Sequence, residues 1–472
     1  MKIVVFGVGE FYRKRKERLL SYSNIEQVAF IDNNKSIQGT FLNDIPVLAV
    51  EQIVKIDFDA ILLMSVKVNE MKKQLSDLGV DLGKIWYWER LKSEKERGSF
   101  CFYCGNSIFL SAAKKVLIIS ASLGYNGGTL AAVYAVKALE KRQYNVVLAA
   151  PEGNMTFINE MKNSGLNIMI CSTLPYLYEE EIAFIKQFDF VIVNLLHMIS
   201  CASQISHIKP TLWWIHEPSL SYEPILSQFN EYTLEERLKK VNIYVVSRAA
   251  KENFNYYFPN RITKILTCGI PDERDLTTKR FQNNKIVFAI VGIISPIKAQ
   301  DMFLKAVSKI QPQFKNNASF WIIGLFKQDN FSDKVREMAS QESNVMIKGE
   351  MTRDELKRVY QDIDVLVCTS LEETLSITTI EAMMHGKVCI VSDATGISDY
   401  IRDGINGFVF KSGEARELIE KMNWVFNNQD ELLQIGKNAR QTYEKYFEMD
   451  GFGKRLEKAL LQAENLSNNS NK

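Results

Sequence analysis

The sequence has few residues of the kinds that bind metals. Only four of its 472 residues are histidines, and seven are cysteines scattered along the chain. An odd number of cysteines without zinc-like pairing predicts free thiols in a reducing compartment. Cys101 and Cys104 form one isolated CxxC, so metal or redox chemistry there is a minor alternative. No metal site is expected.

An excess of charge is also missing, as are long apolar runs. The 58 Lys and Arg residues nearly balance 56 Asp and Glu, for a formal net charge of +2. This balance gives no reason to expect a nucleic-acid partner. No apolar run is long enough to span a bilayer, and the start MKIVVFGVGE lacks the pattern of a signal peptide. We therefore expect a cytoplasmic protein of two or three domains.

The first unit is predicted over residues 1–92. A strand at Lys2–Phe6 runs into Gly7-Val8-Gly9, and the next predicted strand ends at Asp32. This arrangement is typical of a small Rossmann-like domain. The glycine turn of a nucleotide-binding Rossmann domain has a third glycine, and here Gly9-Glu10-Phe11-Tyr12 has a bulky residue at that position. NAD or a similar ligand is therefore the weaker alternative to a structural domain or a docking site for a protein partner.

The helix predicted after this turn, Phe11–Tyr22, is rich in cations. They are Arg13, Lys14, Arg15, Lys16 and Arg18. A solvated helix face is the simpler interpretation. A contact with an anionic membrane, which would place the protein at the inner face of that membrane, stays an alternative.

Two further units with the same alternation of strands and helices follow a polar segment. Few contacts are expected to cross this segment, so a chain beginning near Ser111 should fold without the first unit. The predicted segments are a linker at 93–114, units at 115–280 and 281–447, a helix at 448–464 packing back on the second unit, and a disordered tail at 465–472.

The stretch Ser370–Phe410 is the centre of the third unit. Its apolar runs and glycine stops predict β-α-β-α-β, the alternation of a parallel sheet. Glu373 precedes the first helix start and Glu381 lies more than one turn into that helix. Between them, near Leu375–Thr378, the free amides and the helix dipole suit an anion such as a diphosphate. A solvated helix that carries two acids is the alternative from spacing alone.

The same stretch resembles the motif of retaining family 4 glycosyltransferases. The matching residues are Ser370, Glu373, Glu381-Ala382-Met383, Gly386-Lys387 and Asp403-Gly404-Ile405-Asn406-Gly407. One departure is that Glu373-Thr374-Leu375-Ser376 replaces the usual Glu-Gly-Phe-Gly. Another is Ile293, which stands at the usual arginine of the diphosphate site, whereas the lysine of that site is present as Lys298.

The resemblance covers about Val116 to Ala463 and implies a GT-B architecture, in which two Rossmann-like domains face a cleft. It implies a nucleotide-sugar donor, no bound metal, and transfer of a hexose with retention to an unknown acceptor, in bacterial surface polysaccharide or glycoconjugate synthesis. The implied catalytic residues are His216, Glu373 and Lys298. The implied donor-binding residues are Gly127, Gly128, Gly292, Lys298, Leu375, Ser376 and Glu381.

Two other classes of function stay open. The departures at Ile293 and at Thr374-Leu375-Ser376 are also those expected of a degenerate, non-catalytic partner of another glycosyltransferase. A sugar-nucleotide epimerase could be built on the same two-domain plan. Turnover of a bound donor would separate enzyme from partner, and isomerisation of the free nucleotide-sugar would identify an epimerase.

Overall fold

Three sheets of mostly parallel strands follow one another along the chain. The structure is a computed structural model that describes residues 1–65, 67–97, 99–105, 110–227, 238–274 and 285–469. Helices cover both faces of a parallel sheet, which is why its strands are continuous apolar runs in the sequence. The predicted α/β class is confirmed.

Six strands form the first sheet. They are β1 (Lys2–Phe6), β2 (Glu26–Ile31), β3 (Phe41–Leu42), β4 (Ile45–Leu48), β5 (Ala60–Leu63) and β6 (Ile85–Tyr87). Their order is β3-β4-β2-β1-β5-β6, with β3 antiparallel to β4 and the other pairs parallel. The Asp32 carboxylate accepts hydrogen bonds from the amides of Val8 and Asn34, both at 2.9 Å. The Asp32 carboxylate therefore stabilises the glycine turn after β1.

Eight strands form the second sheet. They are β7 (Phe100–Tyr103), β8 (Lys115–Ile119), β9 (Asn145–Ala150), β10 (Ile168–Cys171), β11 (Phe190–Asn194), β12 (Thr211–Ile215), β13 (Asn242–Val245) and β14 (Thr263–Ile265). Their order is β14-β13-β12-β11-β8-β9-β10-β7, and β7 runs antiparallel to β10. The loops after β8, β11 and β12 therefore share one edge of the sheet.

Six parallel strands form the third sheet. They are β15 (Ile286–Val291), β16 (Ala318–Ile323), β17 (Val345–Gly349), β18 (Val365–Cys368), β19 (Val388–Ser392) and β20 (Phe408–Phe410). Their order is β17-β16-β15-β18-β19-β20. Because β15 pairs with β18, the loops that follow these two strands meet at the carboxyl edge.

The helices connect these strands and cover the sheets. Those before the third sheet are α1 (Glu10–Arg13), α2 (Lys16–Ser21), α3 (Val68–Asp77), α4 (Trp88–Lys95), α5 (Gly127–Glu140), α6 (Met155–Asn163), α7 (Glu179–Ile185), α8 (Ile199–Ile205), α9 (Tyr222–Leu226) and α10 (Arg248–Tyr257). The later ones are α11 (Gln300–Lys309), α12 (Pro312–Lys315), α13 (Asn330–Ser340), α14 (Arg353–Asp362), α15 (Ile377–Met384), α16 (Ala415–Asn427), α17 (Leu432–Tyr446) and α18 (Met449–Asn469). No helix among the described residues combines the length and the apolarity that crossing a bilayer requires.

The C-terminal helix α18 returns from the third sheet to the second unit. Arg142, which follows the end of α5, pairs with Glu457, and the Tyr244 hydroxyl donates to Gln462 at 2.7 Å. A Cβ on Gly269 would come within 2.4 Å of Phe452, so only glycine allows this close approach. The helix thus ties the second and third units together.

Three sequence predictions of local structure are wrong. The helix predicted over Phe11–Tyr22 is two short helices separated by a turn at Lys14 and Arg15, where the Arg15 amide bonds to the Tyr12 carbonyl. The helix predicted to end near Gly404 is a single 3₁₀ turn at Ser398–Tyr400. The tail predicted to be disordered from residue 465 continues α18 to Asn469. The predicted boundary at 280 and residues 470–472 lie outside the described residues.

The prediction of a linker at 93–114 is also wrong. Helix α4 runs to Lys95, and β7 adds an edge strand to the second sheet. Asn167 Oδ1 accepts from the Gly105 amide at 3.1 Å, and Asn145 exchanges two hydrogen bonds with the backbone of Leu110. This segment was difficult to predict because one short aromatic run stands between polar residues.

The first unit is held against the second by ion pairs. Lys92, which is buried, lies 2.8 Å from Glu89 and 3.3 Å from Glu152. Arg18 pairs with Glu96 at 2.6 Å and approaches Glu152 at 3.8 Å. Contacts therefore cross the region that the sequence predicted to be free of them.

We expect a chain that begins at Ser111 to be less stable than one that begins at Ser99. The shorter chain loses β7 and the backbone partners of Asn145 and Asn167, two buried amides. A buried polar group left without a partner costs about 1–3 kcal/mol. Calorimetry should show a midpoint lower by roughly 5 °C or more in the shorter chain. Equal midpoints would restore the linker interpretation.

Candidate active site

The candidate site lies where the carboxyl edges of the second and third sheets face each other. Helix α5 begins at Gly127 in one half, and helix α15 begins at Ile377 in the other. A Cβ placed on Gly127 would lie 3.4 Å from the Ile377 side chain. The two helix starts therefore line opposite walls of one cleft.

Lys298 and Glu373 form an ion pair on the third-sheet side. Lys298 Nζ lies 2.7 Å from Glu373 Oε1, and the Ser370 hydroxyl donates to Glu373 Oε2 at 2.8 Å. The lysine side chain is 27% exposed and the glutamate 15%. Burial works against the lysine charge, but the Glu373 carboxylate outweighs it and raises the pKa of Lys298. The ammonium group is therefore charged at neutral pH, and it has further donors for a ligand.

The start of α15 adds uncapped amides beside this pair. Ser376 is the N-cap residue, but its hydroxyl makes no capping hydrogen bond and instead accepts from Thr379 Oγ1 at 2.8 Å. The first amides of an α-helix have no partner within the helix. Together with the helix dipole they favour an anion. Leu375 and Ser376 thus lie where the sequence analysis predicted a diphosphate.

His216 follows β12 on the opposite wall. Its ring packs on Trp214 at 4.4 Å, and its Nε2 atom is buried without a hydrogen-bond partner among the described residues. Burial lowers the pKa of His216 to about 4, although Glu217 opposes this shift. The imidazole is therefore neutral at physiological pH.

Glu217 supports this loop and was missed by the sequence analysis. Its carboxylate is buried and accepts from the amides of Leu196 at 2.6 Å and His216 at 3.0 Å. The His-Glu-Pro run was the available signal, because an acid directly after a strand end can bind neighbouring amides. We infer that Glu217 fixes the backbone that carries the imidazole.

Acidification should destabilise the protein through two histidines. Burial lowers the pKa of both His216 and His385 to about 4, whereas an unfolded histidine has a pKa near 6.5. Between these values the unfolded chain binds protons that the folded chain does not, so stability falls as pH drops from about 6.5 towards 4. Denaturant unfolding across this range should show the loss, reduced in the His216→Gln and His385→Gln variants but not in the exposed control His207→Gln. An equal pH slope in all four proteins would contradict this prediction.

Glu381, an implied donor-binding residue, already has hydrogen-bond partners in the protein. It is buried, and its two oxygens accept from Arg353 Nη1 and from the Tyr360 hydroxyl, the latter at 2.9 Å. Arg353 also reaches across the cleft and donates to the Tyr134 hydroxyl at 3.1 Å. Glu381, Arg353 and Tyr360, together with Glu273, line a small pocket. A ligand hydroxyl would have to share Glu381 with these donors.

Two of the three predicted glycines have a local structural reason, either close packing or backbone conformation. A Cβ on Gly128 would come within 2.5 Å of the Leu195 side chain. Gly292 has φ of +152°, a conformation that favours glycine, and its carbonyl oxygen lies where a Cβ on Gly324 would be. Gly127, by contrast, faces Ile377 across the cleft. All three line the cleft edge, and the fold needs two of them irrespective of a ligand.

Ile293 stands beside these residues without a charge. Its side chain is 39% exposed. The Gln300 side chain holds the loop by donating to the Ile293 carbonyl at 3.0 Å and accepting from the Ser295 amide at 3.2 Å. These hydrogen bonds of Gln300 therefore stabilise the loop that carries Lys298, although Ile293 stands at the position of the usual arginine.

No group of three or more His, Cys, Asp or Glu side chains in the described parts of the chain is arranged to hold a metal ion.

Comparison with known proteins gives two family matches. Residues 272–442 match the family model of glycosyl transferases group 1. This part of the chain is therefore similar to group 1 glycosyl transferases. Residues 1–86 match a second model, described as C2185-like, N-terminal. The glycosyl transferase match covers Lys298, Glu373 and Glu381, and the wall with His216 lies before it.

Similar proteins extend the likeness beyond this domain. The poly(ribitol-phosphate) alpha-N-acetylglucosaminyltransferase of Staphylococcus aureus is 23% identical over 334 residues, which are 70% of this chain and 61% of that protein. Anabaena HepE in complex with UDP has a TM-score of 0.62 at 18% identity, over 74% of this chain and 100% of that one. Its complex with UDP-glucose has a TM-score of 0.60 at 17% identity, over 74% and 99%. This likeness shows the fold, which is GT-B.

The chain spans only part of the curated relatives that it matches first. The alignments cover 61%, 20% and 35% of their lengths.

Proposed function

We propose that this glycosyltransferase moves a hexosyl group from a nucleoside diphosphate sugar to a glycan or lipid-linked acceptor, with retention. The Lys298–Glu373 pair beside the uncapped start of α15 is the observation that carries the proposal. Anabaena HepE, which shares the fold, binds UDP and UDP-glucose. The Staphylococcus relative is named as an acetylglucosaminyltransferase acting on poly(ribitol-phosphate), which supports a role in bacterial surface polysaccharide or glycoconjugate synthesis.

In this proposal the donor lies across the start of α15. The diphosphate binds the Lys298 ammonium and the amides of Leu375 and Ser376. Glu373 accepts hydrogen bonds from hydroxyls of the transferred sugar. His216 contacts that sugar near its anomeric carbon from the opposite wall.

The nucleoside end of the donor points towards the pocket of Glu381. Its ribose hydroxyls compete there with Arg353 and Tyr360, the two donors that Glu381 already has. Arg353 must therefore shift or share this carboxylate when the donor binds. A charge-assisted hydrogen bond to a sugar hydroxyl can offset that change because the carboxylate stays fully paired.

The chemistry follows from the placement of charge. The bond between the anomeric carbon and the diphosphate oxygen breaks, and its electron pair leaves with the phosphate. The acceptor oxygen bonds the anomeric carbon on the same face, and its proton passes to the departing phosphate oxygen. Lys298 and the helix amides stabilise the charge that develops on that oxygen, which is the largest contribution expected of preorganised donors.

The residue at position 293 favours one alternative function. Ile293 replaces the cation that the resembled family places in the diphosphate site, and this loss is expected of a non-catalytic partner of another glycosyltransferase. Such a partner would bind a nucleotide without turning over any donor. The two functions therefore differ in turnover and not in binding.

A thermal-shift screen of the full chain with UDP, GDP, ADP and their common hexose conjugates tests the proposal. A ligand at about 100 times its Kd stabilises the folded state by roughly 2.7 kcal/mol. We expect one base to raise the midpoint selectively, and its sugar conjugate to release the diphosphate when acceptor-containing membranes are added. No stabilisation by any nucleotide would contradict donor binding, whereas stabilisation without release would favour the partner.

A further inference from the structure

Thr374 stands where the resembled family has the glycine after its first glutamate. Its hydroxyl donates a hydrogen bond of 2.6 Å to the backbone carbonyl of His216 in the other half of the molecule. The side chain is largely buried in the cleft. A glycine could not make this contact, so the departure from the family motif has a structural consequence across the cleft.

Glu372 makes a second and stronger set of contacts across the same cleft. Its Oε1 accepts from the Ser219 amide at 2.5 Å and from the Asn253 side chain at 3.0 Å. Its Oε2 accepts from the Ser219 hydroxyl at 2.8 Å. Three donors from the second unit thus converge on one carboxylate of the third unit.

These contacts lie on both sides of a catalytic candidate. Glu373, between them in sequence, belongs to its own half: its amide donates to the Ala394 carbonyl, and its carbonyl accepts from the Gly396 amide. Gly396 permits the close approach, because a Cβ there would come within 2.7 Å of the Ser247 hydroxyl of the second unit. The sugar-binding candidates of the two walls are therefore joined by neighbouring residues.

We propose that Glu372 and Thr374 form an interdomain clasp that closes the cleft and positions His216 opposite Glu373. The proposal rests on the proposed function for its catalytic meaning, but the closure itself does not depend on it. The clasp contacts both ends of the segment 216–219. Thr374 bonds to His216 at one end, and Glu372 bonds to Ser219 at the other. Both are positioning residues, because neither is placed in contact with the reacting atoms.

The four hydrogen bonds that form the clasp can open because they are polar contacts. Water can replace each hydrogen bond when the halves separate, and the net contribution of each bond is therefore modest. Opening would admit the donor, and closing would bring the imidazole of His216 back to the sugar. A loss of the clasp should thus slow turnover more than it weakens nucleotide binding, since Lys298 is unaffected.

The kinetic test uses conservative changes. Thr374→Val removes the hydroxyl at nearly constant volume and should lower kcat about fivefold, and Thr374→Ser should restore most of it. Glu372→Leu removes three bonds and should lower kcat on the order of tenfold or more. The dissociation constant of UDP, or of whichever nucleotide the wild type binds, should change less than about threefold in each variant. Glu337→Leu, an exposed glutamate on α13, is the matched control.

Closure is measured separately by small-angle X-ray scattering of the full chain without and with that nucleotide. The double variant Glu372→Leu/Thr374→Val should show a larger radius of gyration than the wild type and the control. If wild type shows no turnover with any donor, the proposed function fails, and the scattering result alone decides on the clasp. Unchanged scattering, or an opened variant with wild-type kcat in an active enzyme, would overturn the proposal.

Discussion

Replacing Lys298 by alanine is expected to lower kcat/KM by roughly 10- to 150-fold while the protein stays folded. A hydrogen bond to a charged group contributes about 1.5–3 kcal/mol, and each 1.36 kcal/mol is a factor of ten in rate. The ammonium lies 2.7 Å from Glu373 beside the start of α15, where the leaving diphosphate is placed. Steady-state release of nucleoside diphosphate from the preferred donor measures the effect.

The loss should be large because Ile293 contributes no second cation. Ile293→Arg should therefore tighten diphosphate binding and make Lys298→Ala less damaging in the double variant. The exposure of Ile293, 39%, indicates room for the longer side chain. The control is Lys315→Ala. Lys315 lies 2.8 Å from Glu342 in a similarly half-buried ion pair, and this pair lies outside the cleft. Equal losses in both alanine variants would show that the effect is structural.

Glu373→Gln is expected to reduce kcat by a similar factor without weakening binding of the free nucleotide. The proposed role of this carboxylate is to hold hydroxyls of the transferred sugar, which the nucleotide lacks. Its removal also frees the Lys298 ammonium from its present partner. Affinity for the diphosphate should therefore stay constant or rise, as measured by titration calorimetry with wild type and variant.

The matched control for this change is Glu342→Gln, which breaks the Lys315 pair. It should leave both kcat and nucleotide affinity unchanged. Because Lys298 and Glu373 are in contact, the double variant should lose less than the product of the single losses. A Glu373→Gln variant with normal kcat, or with greatly weakened nucleotide binding, would remove the role proposed for this residue.

The strands were predictable because parallel strands buried on both faces are plain apolar runs. The strand at Lys2–Phe6, for example, has the predicted bounds. The strand β7 was not predicted, because it is a short edge strand whose partner, β10, lies more than 60 residues away in sequence. Pairing of that kind depends on contacts that no local pattern records.

The site was predictable to the extent that it is local. The expected cation and acid, Lys298 and Glu373, lie together because β15 and β18 are neighbours in the sheet. The partners of Glu381 were not predictable, since Arg353 is identified only by its position in space. The clasp residue Glu372 was missed for the same reason, as its partners are more than 100 residues away.

The proposed role of Lys298 in donor turnover is tested by assaying a nucleotide-sugar with the full chain, side by side with Lys298→Ala and Lys315→Ala. The assay follows release of nucleoside diphosphate from the donor that stabilises the wild type, in the presence of acceptor-containing membranes. We expect release by the wild type and by Lys315→Ala, and a loss of roughly 10- to 150-fold in Lys298→Ala. A wild type that binds the nucleotide but releases no product with any donor, with Lys298→Ala indistinguishable from it, would contradict a catalytic role for this site.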